Sequence, residues 1–147
     1  MLVDHSTLYL LKTSITRDGW LELPAIGNSM FPFIRQGDLC RFSLCDLSTI
    51  KKGDVLLFYS QTGRLIAHRF VRKEHNLYVL KGDTNLGFDQ PIEADRILGK
   101  LAQVKKQHVR LSSNHLVLRI WSKTILAFPI LSAILRQFLN KKTRFQF

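Results

Sequence analysis

Between Trp20 and Leu111 the chain repeats one rhythm, a short apolar run and then a turn, with turns recurring at roughly ten-residue intervals. The runs are WLELPAI, DLCRFSL, DVLLFYS, RLIAHRFVRK, NLYVLKG and RILGKLAQVKKQHVRL. They are rich in β-branched and aromatic side chains, which suit a pleated surface, and Gly-Asp turns punctuate them. The segment SQTGRL between two of the runs reads as a hairpin turn. Short consecutive strands joined in this way pair antiparallel. The expected fold class is therefore mainly β, a strongly bent antiparallel domain over residues 20–112.

Both flanks break the rhythm. In residues 1–19, Leu8, Leu11 and Ile15 recur at helical spacing and Gly19 is a natural stop, which predicts a short N-terminal helix. In residues 113–147, Leu116, Ile120 and Trp121 return to helical spacing, Asn114 is placed to cap a start, and Pro129 is placed to open a second helix. Two short helices, turned near Pro129, are expected there. Neither flank reads as a cleavable signal peptide or a membrane span. Asp4 and His5 break the first apolar run, and Arg119, Lys123 and Pro129 interrupt the last.

Composition constrains partners mainly through charge. Hydrophobic content of 46% and charged content of 22% exclude the disordered class. The 22 Lys+Arg against 11 Asp+Glu leave a formal charge of +11, which favours anionic partners. The C-terminal flank mixes its apolar residues with Arg119, Lys123, Arg136, Lys141, Lys142 and Arg144 and holds no acid. That combination suits an anionic membrane surface reached through residues 114–147. The alternative is a helical pair packed on the β domain or on a second chain, with its cations in water. No helix-turn-helix or zinc module is recognisable, so no specific nucleic-acid partner is expected. Cys40 and Cys45 have neither disulfide-framework nor zinc spacing and are expected to be reduced thiols. No metal or cofactor is expected, and the expected location is cytoplasmic or peripheral to a membrane.

One segment does not fit the strand rhythm, GNSMFPFIRQGD at residues 27–38. A surface loop has no need of Met30 and Phe31 beside Ser29, and a core strand does not tolerate Pro32. A serine hydroxyl becomes a nucleophile only with a base in hydrogen-bond reach and a third group orienting that base. Of the five histidines, only His68 lies inside a strongly apolar run, LIAHRFV. Alternation puts Ile66, His68 and Phe70 on one face, where the imidazole is desolvated and favoured in its neutral form. Such a histidine is either a satisfied core residue or a base. The next loop, LKGDTNLGFDQPI, offers Asp83 and Asp89 as candidate partners. Asp83 and Asn85 also suit a purely turn-capping role.

The order of GNSMFPFIRQGDLC, KKGDVLLFYSQTGRLIAHRFVRK and LKGDTNLGFDQPIEADRILGK resembles the consecutive motifs of type I signal peptidases. The likeness spans about residues 21–104 and is nearest to the endoplasmic-reticulum and archaeal subfamily. LexA-type self-cleaving repressors are similar more distantly, with lysine where this chain has His68. The resemblance implies a serine endopeptidase acting on a peptide or precursor-protein substrate, with Ser29 as nucleophile and His68 as base. Asp89 matches the orienting carboxylate, and Asp83 matches a second acidic position. The oxyanion is expected against the Ser29 N–H, with help from Asn28 or Gly27. Gly27 would admit the substrate backbone, Met30 and Phe31 would form floor and wall, and Pro32 would end the strand so that Ser29 stands at its rim. Phe33 and Ile34 are expected either to line a pocket or lipid-facing edge or to be plain core. Small residues are expected before the cut.

Two features depart from the family pattern. Only a short, polar-ended helix precedes the serine motif where membrane-bound members carry an anchor, and position 88 is Phe rather than an acid. The alternative function is a non-catalytic peptide-binding or membrane-surface module on the same fold.

Overall fold

The computed structural model describes residues 1–107 and 109–144; His108, within the last expected strand run, and residues 145–147 of the expected tail lie outside the described residues. Helix α1 spans His5–Asp18. Asp4 caps it, accepting from the Thr7 N–H at 2.8 Å, and this bond holds the Asp4 carboxyl below its ordinary value. Gly19 ends the helix at φ 78°, donating its N–H to the Ile15 carbonyl. The buried Ile15 lies so close to Gly99 that a Cβ there would sit 2.8 Å from Ile15 Cδ1. The helix can therefore rest directly on the sheet.

Seven strands follow: β1 Trp20–Pro24, β2 Leu39–Ser43, β3 Val55–Tyr59, β4 Leu65–Glu74, β5 Leu77–Lys81, β6 Ile97–Lys106 and β7 Val109–Ser112. They form one mainly antiparallel sheet in the order β1-β2-β6-β3-β4-β5, with β7 paired to β6, and the sheet does not close into a barrel. The Ser60–Arg64 turn closes the β3–β4 hairpin, with Ser60 N–H bonded to the Arg64 carbonyl at 2.8 Å. The final expected run is two strands, because the chain reverses after Lys106 and pairs β7 back along β6.

Strand β3 is buried on both sides, which explains its unbroken apolar text VLLFY. Val55 and Leu57 join one core cluster with Ile15, Leu21, Met30, Ile34, Phe42, Leu101 and Val104. Leu56 and Phe58 join a second with Phe70, Tyr78, Leu80 and Ile92. The catalytic candidates lie beside these clusters, so both walls around His68 are packed.

Helices α2 (Leu116–Ala127) and α3 (Ile130–Arg144) follow, bent by 104° around Phe128 and Pro129. Among the described residues no single helix is long and apolar enough to cross a membrane. His115, not Asn114, stands at the helix start, because the turn leaving β7 ties the His115 N–H to the Ser112 carbonyl. Pro32 does not end a strand either. β1 stops at Pro24, and Ser29 through Phe33 form a run of turns.

Candidate active site

Three elements converge on Ser29. Its own loop is anchored from below by Met30 and Ile34, both in the core, with the Ile34 N–H bonded to the Met30 carbonyl at 3.1 Å. Neighbouring Asn28 accepts the Gln36 N–H on its side-chain oxygen at 3.0 Å, which closes the turn. From the other side, Thr84 donates its N–H to the Ser29 carbonyl at 2.9 Å. Backbone bonds therefore tie the serine loop to the loop between β5 and β6.

His68 projects from the middle of β4, opposite Leu56 of β3, and is 5% exposed. Its ring packs against Phe58. Nδ1 lies 2.7 Å from Asp89 Oδ2, and Nε2 lies 3.0 Å from Ser29 Oγ. An ionised carboxylate only accepts, so Nδ1–H donates to Asp89, and Nε2 is left with its lone pair towards the serine hydroxyl. Asp89 reaches this position because the β5–β6 loop folds back along β5. The Asp89 N–H bonds the Leu80 carbonyl at 2.8 Å, and Ile92 bridges Tyr78.

Asp83 meets different groups. Its carboxylate takes both arms of Arg69, at 2.8 and 2.7 Å, and also accepts from Trp121 Nε1 at 2.9 Å. The pair is buried, and Arg69 is further fixed by donating to the Gly53 carbonyl. Asp83 therefore braces the strand residue next to His68 without touching the imidazole. Its position also sets aside the simple turn-capping reading, although Asn85 does donate its N–H to the Gly82 carbonyl.

A cavity of about 570 Å³ opens beside Ser29 and His68. Its apolar wall includes Leu23, Ile26, Met30, Phe42 and Ala67, and Gly27 lies on its rim. A Cβ at Gly27 would meet nothing within 4 Å, so the space above it is open. Met30 lines the cavity. Phe31 instead stacks on Phe138, Phe33 meets Trp121 and lines a neighbouring cavity, and Ile34 is core and lines both cavities. Pro32 lies outside the cavity lining.

The cleft-side edge of β4 is partly occupied. Leu65 exchanges backbone bonds with Met1, at 2.8 and 3.4 Å, and Val3 N–H bonds the Gly63 carbonyl. Phe70 points its backbone groups towards the β3 side, at Asp54 and Gly53. By two-residue alternation, Ile66 and His68 do the same, while Leu65, Ala67 and Arg69 point away. Arg69 is opposite Lys81 of β5. Ala67 is thus the position whose N–H and C=O face the cleft between the two occupied stretches.

Two further residues matter at the site through contacts that the fold creates. A Cβ at Gly82 would come 3.0 Å from His68 Nε2 and 2.8 Å from the Asn85 side chain, so only glycine leaves the ring its place. Thr84 holds the Ser29 carbonyl. The pairing of Gly82 with Asp83 was visible as a turn, but its distance from His68 was not. Among the described residues no His, Cys, Asp and Glu group is arranged to hold a metal ion. No protein-family model matches the chain, and no curated protein matches it.

Proposed function

We propose that this chain is a serine endopeptidase that cleaves a leader or precursor peptide through an acyl-enzyme. The observation that carries the reading is the continuous Ser29–His68–Asp89 hydrogen-bond relay at the mouth of an apolar cleft. Burial of the ring together with a carboxylate on Nδ1 selects the tautomer whose Nε2 accepts a proton.

Ser29 Oγ attacks the scissile carbonyl as its proton passes to His68 Nε2. Asp89 stabilises the imidazolium that forms. Collapse of the tetrahedral intermediate breaks the C–N bond, and Nε2–H delivers the proton to the leaving amine. Water then repeats the sequence in reverse on the acyl-serine, releasing the second product and restoring the hydroxyl. The Ser29 N–H has no acceptor among the described residues and is free to receive the oxyanion. One such donor is worth about 2.7–4 kcal/mol in the transition state. The side-chain oxygen of Asn28 is engaged by Gln36, leaving its NH₂ group as the donor that could assist. Asp83 acts as a positioning residue through Arg69. The substrate strand would pair with the Ala67 edge and lay its side chains into the cleft, in the manner of strand addition. Met1 on Leu65 bounds that edge upstream.

The test is a peptide library incubated with the wild type and with Ser29→Ala, analysed by mass spectrometry. Cleavage by the wild type alone, after small residues, is the expected outcome. Identical product profiles for the two proteins would remove the assignment.

A further inference from the structure

The α2–α3 elbow presents an apolar face that is largely uncovered among the described residues. On α2, Leu116, Val117 and Ile120 are exposed, and Phe128 is exposed at the bend. On α3, Ile130, Ile134 and Phe138 recur at four-residue intervals along one face, with Ile130 68% and Ile134 54% exposed. The opposite side of the unit is already committed. Trp121 bonds Asp83, Ser122 Oγ donates to the Gly53 carbonyl at 3.1 Å, and Ile125 and Ser132 are buried. The exposed stripe is therefore not left over from failed packing.

Charge is arranged to match. No Asp or Glu follows Asp95, whereas Arg119, Lys123, Arg136, Lys141 and Lys142 lie along the two helices. Arg119 and Lys123, one helical turn apart, share the mouth of a cavity of about 620 Å³ with Lys51 and Lys52. Asp54 is the one acid in its lining, and it lies 3.5 Å from Lys100. Among the described residues none of these four cations is in an ion pair.

We propose that the elbow docks in the plane of an anionic lipid bilayer, with the apolar stripe in the interface and the cationic cavity mouth against lipid phosphates. Helices of this length reach only about 18–23 Å, short of a bilayer core of about 30 Å, and the 104° bend rules out a straight span. A nucleic acid would use the cations and leave the apolar stripe in water. A second copy would bring like charges face to face. A lipid surface satisfies both features together. Phe138 belongs to the stripe and also stacks on Phe31, two residues from Ser29, so docking carries the serine loop to the lipid surface. The docking itself does not depend on the peptidase reading.

Flotation of the full chain with phosphatidylcholine vesicles, with and without phosphatidylglycerol, tests this. Bound protein is expected to rise about tenfold or more when the anionic lipid is present, and to fall with added salt. The double variant I130E/I134E, and separately R119E/K123E, are expected to weaken binding by about tenfold or more with far-UV circular dichroism unchanged. All four side chains are exposed, so the fold should tolerate them. Equal binding to both vesicles, binding insensitive to salt, or binding to neither overturns the proposal. So does concentration-dependent dimerisation or duplex DNA binding without vesicle binding. Because no cleavage is measured, failure here is distinct from failure of the peptidase assignment.

Discussion

The carboxylates of Asp83 and Asp89 emerge from one loop and meet different side chains. Asp89 reaches the imidazole and Asp83 the neighbouring guanidinium. This division makes their asparagine variants separable. Asp89→Asn keeps a similar shape but offers an NH₂ group to Nδ1, favouring the tautomer that leaves Nε2 protonated. Its kcat is expected to drop on the order of a thousandfold or more with thermal stability nearly unchanged. Asp83→Asn leaves Arg69 as a buried charge missing its partner, and is expected to lose about 3–5 kcal/mol of stability. Denaturant titration and peptide cleavage on the two variants check both. Equal stability losses would show that the two acids serve one structural network.

At the scale of elements, α2 is held to the β domain by very few groups, and Gly53 is the meeting point. Its carbonyl receives Arg69 and Ser122, its φ is +98°, and a Cβ there would collide with Ser122 Oγ. Gly53→Ala therefore strains the turn and pushes α2 outwards. Amide exchange across Leu116–Ala127 is expected to speed up by about tenfold or more, while β3 and β4 keep their protection. Uniform loss of protection would instead mean that α2 is part of the global folding unit. Trp121 contributes to the same junction through its bond to Asp83, which joins α2 to the ion pair adjoining His68.

For the molecule as a whole, one buried group ties stability to pH. Burial pushes the Cys40 thiol up from its ordinary 9.0 to about 12, with Asp38 adding to the shift. A thiol whose folded value is raised favours the folded state while it stays protonated. That contribution is complete below the ordinary value and is lost as pH rises from there towards about 12. The urea midpoint of the wild type should thus fall more steeply between pH 9.0 and about 12 than that of Cys40→Ala, which removes this titration. Parallel slopes would assign the alkaline loss to other groups. At neutral pH both thiols are held protonated, since burial also raises Cys45.

Much of this architecture was legible in the linear chain because it rests on local physics. Turn residues at short intervals marked the strands, Gly19 stopped α1 through its left-handed backbone, and His68 shared a strand face with Ile66 and Phe70. Ser29, His68 and the two acids Asp83 and Asp89 were nameable as a set through the family resemblance that their ordered motifs carry. Other features depend on partners distant along the chain. Which acid meets His68 follows from the loop folding back along β5, and Gly82 matters only because an imidazole arrives from β4. Pro32 read as a strand end, but pairing between β1 and β2 stops at Pro24. The C-terminal helices carry both an apolar stripe and a packing face at the same helical period. Periodicity shows that faces exist, while contact with Asp83 and Gly53 selects which one is buried and leaves the other to water or lipid.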